Sequence, residues 1–222
     1  AHPAGMISIG SGAVFGGSDP WSGIIEGKGG HGAYPHETVD PFFLLAHVII
    51  ALNGIVSRRL DPFAPAVVSI GSINGGFTGN IIPQSLKIAG TLRYTDPAVR
   101  AQIHAEIKRA FETAKALGGS YELKFGTGSL PIINDRMVSA EIEQIGVKML
   151  GRENVVEPRK ALAAEDFGTF MARAPGAIFF LGVQKKGHEG FLLHHPRLDL
   201  DERALPIGTA MLVETAMELL KK

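Results

Sequence analysis

Two Asp-Pro dipeptides, Asp40-Pro41 and Asp96-Pro97, constrain what this chain can fold into more than any other feature of it. In each, the carboxylate can cap a helix, and the proline suits a first turn in which no N–H donor is needed. Behind the first, an apolar run predicts a helix to about residue 58. Behind the second, Val99, Ile103, Ile107, Ala110, Ala114 and Leu117 form a single stripe that stops at Gly118-Gly119. Strand patterns flank both helices. Residues 21–26 lead into a glycine-rich turn, residues 66–73 are rich in β-branched side chains, and Tyr121, Leu123 and Phe125 alternate with Glu122 and Lys124. Leu86, Ile88 and Leu92 alternate with Lys87, Ala89, Thr91 and Arg93, the period of a half-buried strand that turns Arg93 away from its core face. The order strand, helix, strand, strand, helix, strand over residues 21–127 is that of a ferredoxin-like α+β sandwich. The first helix is apolar nearly all round, more than one buried face requires, which predicts a partner surface.

The rest of the chain is less self-sufficient. Residues 1–20 hold short apolar pieces broken by glycines and read as strands that need neighbours. Residues 126–134 read as a crossing linker. Beyond it the pattern predicts helices near residues 137–150, 166–172 and 202–220 and two short strands at 155–156 and 177–181, too few to close a sheet. The expected division is residues 1–20, 21–128 and 129–222, with the outer two in one body. The chain opens at Ala1-His2-Pro3 without methionine and reads as one entered midway.

Composition narrows the partners. Lys+Arg and Asp+Glu balance at 22 each, so no positive field favours nucleic acid or an anionic membrane surface. With no cysteine there is neither a disulfide framework nor a thiolate metal site. The longest apolar run, residues 42–56, is interrupted by His47, Asn53 and Gly54 and reads as too short for a bilayer. No stretch reads as a signal peptide. A cytoplasmic protein with neither nucleic-acid nor membrane partners is the expectation.

Several residues could carry chemistry. In Gly27-Lys28-Gly29-Gly30-His31-Gly32-Ala33-Tyr34-Pro35-His36, the glycines allow positive φ and close approach to a ligand, and they leave His31 without bulky neighbours. A glycine-rich hairpin with merely solvated histidines is the alternative. Asn80 can donate two hydrogen bonds from its amide, and Arg93 offers a planar fork suited to a carboxylate. An Asn in a turn and an Arg on a solvated strand face are their ordinary fates. His194 and His195, followed by Asp199, Asp201 and Glu202, bring imidazoles and carboxylates together as metal sites do, or form a surface pair before a helix. Glu165 and Asp166 either supply a site carboxylate or make the acidic first turn of a helix. His2, His47, His104 and His188 are assigned to solvent or packing.

Taken in order, the stretch from Gly27 to His36, Asp40-Pro41, Gly75-Gly76-Phe77-Thr78-Gly79-Asn80-Ile81-Ile82-Pro83, Gly90-Thr91-Leu92-Arg93, Glu165-Asp166-Phe167 and Leu193-His194-His195-Pro196 resemble the zinc peptidase family of aminoacylases, hippurate hydrolases, indole-acetyl-amino-acid hydrolases and carboxypeptidase G. The resemblance implies a ferredoxin-like lid that mediates homodimerisation, inserted in an α/β catalytic domain holding two divalent metal ions, usually zinc. It implies that His31 polarises the scissile carbonyl in the partner subunit's site, that Asn80 and Arg93 bind the substrate's carboxylate and nearby oxygen, and that His194 is the last metal ligand. The family's earlier metal ligands and its Glu-Glu general base have no counterpart in the 222 residues. The chain therefore resembles the C-terminal three-fifths or so of such an enzyme, and it is not expected to bind both metals alone.

Two functions follow as expectations. In the first, the parent protein hydrolyses the amide bond of small N-acyl amino acids or of C-terminal peptide residues, with metal-bound hydroxide as nucleophile. In the second, the chain is a non-catalytic fragment for dimerisation and substrate gripping. A phosphate-binding loop is excluded because no Ser or Thr follows Lys28. An RNA-binding ferredoxin-like module is disfavoured by the zero net charge and by the lack of an aromatic pair on the central strands.

Overall fold

The computed structural model describes residues 2–191 and 193–221. In chain order, the elements before the first helix are β1 (Ile7–Ser8), β2 (Gly12–Phe15), β3 (Gly17–Glu26) and β4 (Gly30–His31). Then come α1 (Pro41–Arg58), β5 (Ala66–Asn74), β6 (Ile81–Ile82), β7 (Ser85–Tyr94), α2 (Pro97–Ala116) and β8 (Ser120–Phe125). The last are β9 (Ile132–Asn134), α3 (Arg136–Leu150), β10 (Val155–Val156), α4 (Gly168–Met171), β11 (Phe180–Leu181) and α5 (Ala204–Leu219). The chain divides into two compact units, one of residues 15–131 with 162–166, the other of residues 1–14, 132–161 and 167–222.

The first of these is a lid-type domain whose sheet has the order β5-β7-β3-β8, all antiparallel. With α1 and α2 this is the ferredoxin-like βαββαβ arrangement. Both Asp-Pro starts form as expected: Asp40 accepts from Phe42 N–H at 2.8 Å and Asp96 from Ala98 N–H at 2.7 Å. One face of α1, with Leu44, Leu45, Val48, Leu52 and Ile55, shares a core with Ile103, Ile107 and Phe111 of α2 and with Trp21, Leu86, Ile88 and Leu92 of the sheet. Its other face leaves Phe42, Phe43 and Ile50 exposed. At 18 residues and a mean hydropathy of 1.6, α1 is long and apolar enough by length and composition to cross a bilayer, which the shorter run in the sequence did not suggest. Its buried face packs into the core of the sheet and α2.

β3 begins at Gly17, earlier than the residues 21–26 expected, because the strand continues through Asp19-Pro20. Pro20 has no N–H to give, but its carbonyl accepts from Gly126 N–H at 2.9 Å. Asp19 is 1% exposed, and its carboxylate is satisfied by Arg100 (2.6 and 3.1 Å) and by His104 Nε2 (2.7 Å) from α2. His104 stacks on Phe125 with centroids 4.0 Å apart, so its packing role includes a hydrogen bond to a buried acid.

In the second unit, β1 lies between β10, parallel to it, and β11, antiparallel to it. Ile7, Ile9, Ile142, Ile145, Val155 and Met211 make its core. Asp135 caps α3 by accepting from both Met137 and Val138 N–H at 2.9 Å. The helix expected over 166–172 is the single turn α4, and the strand expected over 177–181 contracts to Phe180–Leu181.

Candidate functional site

The turn after β3 is built by close backbone approach rather than by unusual torsions. None of Gly27, Gly29, Gly30 and Gly32 has a positive φ, contrary to the expectation drawn from their number. A Cβ on Gly27 would lie 2.0 Å from the Val39 carbonyl oxygen and one on Gly29 would lie 2.7 Å from that of Ile82. The glycines thus make room for neighbouring carbonyls of the lid itself. Lys28 donates to Val39 O at 2.8 Å and accepts from Val39 N–H at 3.0 Å, which anchors the turn to the segment entering α1.

Past the turn, β4 and β6 pair antiparallel, Gly30 opposite Ile82 and His31 opposite Ile81, and Gly32 N–H donates to Asn80 O at 2.9 Å. This two-stranded ribbon brings His31, on β4, close to Asn80, which immediately precedes β6. Both side chains are exposed. His31 Nδ1 accepts from Ala33 N–H at 3.0 Å, so in the neutral ring the hydrogen sits on Nε2, which is left as an outward donor. Tyr34 flanks the ring at 5.4 Å between centroids. Thr78 Oγ1 donates to Asn80 Oδ1 at 3.0 Å, which leaves both hydrogens of the Asn80 amide nitrogen available. Beside the ribbon is a cleft of about 710 Å³ lined by Gly32, Phe42, Gly76, Phe77, Thr78 and Ile81. Arg93 is placed elsewhere in the lid, on β7 between Ser18 of β3 and Val67 of β5, and it alternates with the buried Leu92 and Tyr94.

Glu165 and Asp166 are exposed, and the Glu165 carboxylate accepts from Asp166 N–H at 2.9 Å without capping α4. His194 is exposed at φ 72°, in the left-handed region that a residue with a Cβ seldom adopts. His195 stacks on Phe191 at 4.7 Å, its Nδ1 accepts from Arg197 N–H at 3.0 Å, and the Arg197 guanidinium lies over the same Phe191 ring at 4.5 Å. The nearby acids are occupied: Asp199 pairs with Lys185 at 2.6 Å, and Asp201 accepts from Arg203 Nε at 2.9 Å. The Arg203 hydrogen bonds hold the Asp201 carboxyl down at about 2. Among the described residues, no three His, Asp or Glu side chains converge as a metal ion requires. The donors present here do not by themselves fit a metal centre.

Residues 13–118 match a family described as a peptidase dimerisation domain. The chain is 35% identical to thermostable carboxypeptidase 2 of Saccharolobus solfataricus over 212 residues, 94% of this chain and 53% of that protein. It is also 35% identical to an N-acetyldiaminopimelate deacetylase of Bacillus pumilus, over 97% of this chain and 56% of the relative. Among solved structures it resembles a dinuclear metal-binding peptidase of the M20 family from Bacillus subtilis, with a TM-score of 0.79 at 24% identity over 99% of this chain and 55% of the other. The chain thus spans about half the length of the curated relatives it matches. Those relatives are hydrolases. Residues 13–118 thus correspond to a peptidase dimerisation domain, and the chain as a whole is similar to about half of a carboxypeptidase, of an N-acetyl deacetylase and of a peptidase of the M20 family.

Proposed function

We propose that the full-length protein hydrolyses the amide bond of N-acyl amino acids or of C-terminal peptide residues, and that the lid described here grips the substrate. The observation that carries this reading is the pairing of β4 with β6, which sets an outward Nε2–H of His31 beside an Asn80 amide with free hydrogens. Two such neutral donors suit a carbonyl oxygen that gains negative charge as its carbon is attacked. Arg93 suits the substrate's free carboxylate, since a guanidinium fork can meet both oxygens at once. His194 is assigned to a pair of divalent metal ions, zinc in this reading, and Glu165, Asp166 and His195 are the further site candidates. When bound, such metals supply an activated water.

The lid is proposed to form a homodimer through the exposed side of α1, where Phe43 and Ile50 stand at 56% and 71% exposure, and the adjoining edge strand β5. The domains assigned from the sequence, residues 1–20 with 129–222 around the lid at 21–128, belong to the same proposal, as does a cytoplasmic setting. The test is Arg93→Ala in the full-length protein. KM is expected to rise for substrates with a free carboxylate by about 1.5 to 3 kcal/mol in binding terms, while amidated substrates lose little. An equal loss for both would remove Arg93 from the substrate.

A further inference from the structure

The strand pairing that carries His31 contains a two-against-one mismatch. Glu26 pairs with Ser85 and Gly27 N–H donates to Gln84 O at 2.9 Å, yet three residues later Gly30 already pairs with Ile82. Lys28 and Gly29 therefore stand opposite Pro83 alone, as in a β-bulge. Pro83 has no N–H to offer, and the polar groups of the bulge need other partners. Val39 takes those of Lys28. The Gln84 side chain takes two more: its Nε2 donates to Gly27 O at 2.7 Å and its Oε1 accepts from Gly29 N–H at 3.2 Å. One amide thus spans the bulge from both sides, two residues before His31.

We propose that Gln84 is a positioning residue for His31, its side-chain amide replacing the donor that Pro83 lacks and so fixing the path and ring tautomer of the histidine. The proposal rests on the reading of His31 as a carbonyl-binding residue, but the geometry of the clamp stands apart from catalysis. Gln84→Ala removes both hydrogen bonds. Gln84→Glu keeps the size and the acceptor for Gly29 while losing the donor to Gly27, and it serves if the alanine variant does not fold.

The first measurement is made on the 15N-labelled chain. In either variant the His31 ring nitrogens are expected to leave the Nε2–H pattern for an average of tautomers. In Gln84→Ala, Gly29 amide exchange is also expected to accelerate by about tenfold or more. Ring shifts unchanged from wild type in both variants overturn the proposal. The second measurement is a double-mutant cycle in the full-length hydrolase. Gln84→Ala is expected to lower kcat about tenfold at unchanged KM, and to have no effect on kcat in a His31→Ala background. The same loss in both backgrounds marks Gln84 as generally structural and overturns the proposal. If His31→Ala itself leaves kcat untouched, the catalytic reading of His31 fails, and the ring nitrogens still decide whether Gln84 holds it.

Discussion

The lid buries its apolar residues between a four-stranded sheet and two helices, with α1 and α2 each turning a full face inward. The C-terminal unit has a three-stranded sheet whose strands are two residues long, and α5 buries only Ala204 and Met211 while Leu205, Leu212, Val213 and Met217 stay exposed. Apolar composition alone does not make a core. A sheet long enough to be covered does, and among the described residues the lid has ten-residue strands β3 and β7 where the second unit has strands of two to four residues.

The largest effect that bears on this contrast is core truncation. Phe111→Ala, at a fully buried position of α2, is expected to destabilise the lid by about 3–5 kcal/mol in urea unfolding followed by lid-specific hydrogen exchange. Ile145→Ala in the smaller cluster is expected to cost about 2 kcal/mol, because a looser site can collapse on the lost volume. Equal costs would mean that the two cores are equally well closed.

Next is a contrast of lesions, one in each unit. In the full-length protein, His31→Ala is expected to keep its metal and lose about a hundredfold in kcat, the scale of one oxyanion donor. His194→Ala is expected to lose metal. If His31 serves the partner's site, co-expressed variants form mixed dimers in which one site is intact, and about a quarter of wild-type activity returns. Verified heterodimers without recovered activity would place His31 in its own subunit's site.

The smallest effect belongs to the C-terminal unit alone. The Asp201 carboxyl is held at about 2, against an ordinary 3.8, by the Arg203 hydrogen bonds. A depressed carboxyl pKa stabilises above its unfolded value and ceases to do so as pH falls through the folded value. Melting temperature between about pH 4 and pH 2 is therefore expected to fall more steeply in wild type than in Asp201→Asn. Parallel curves would show that the pair persists in the unfolded chain.

The lid was legible because its signals are local. Asp40-Pro41 and Asp96-Pro97 fix helix starts within two residues, and the alternation in β7 needs no knowledge of its neighbours. The extension of β3 was hidden because Asp19-Pro20 looks like a break until Arg100 and His104, more than 80 residues away, supply the partners of the acid. The same distance effect hid the site's geometry. His31, Asn80 and Arg93 stand out by residue type, but that the first two share a ribbon depends on the pairing of β4 with β6 across some fifty residues. Gln84 gave no signal at all, since an exposed glutamine beside a proline is unremarkable until its amide is seen between Gly27 and Gly29. The mutual occupation of Asp199 with Lys185 and Asp201 with Arg203 was equally invisible in a run that merely looks acidic.

The mismatch opposite Pro83 lets this segment absorb an odd residue. Because a bulge takes up one extra residue without shifting the pairs on either side of it, deleting Lys28 or Gly29 is expected to restore continuous pairing and leave His31 opposite Ile81, while removing the groups that Gln84 now holds. A single-residue deletion in this turn is therefore a change of bulge rather than of face, and a variant library that varies its length separates the bulge from the histidine it precedes.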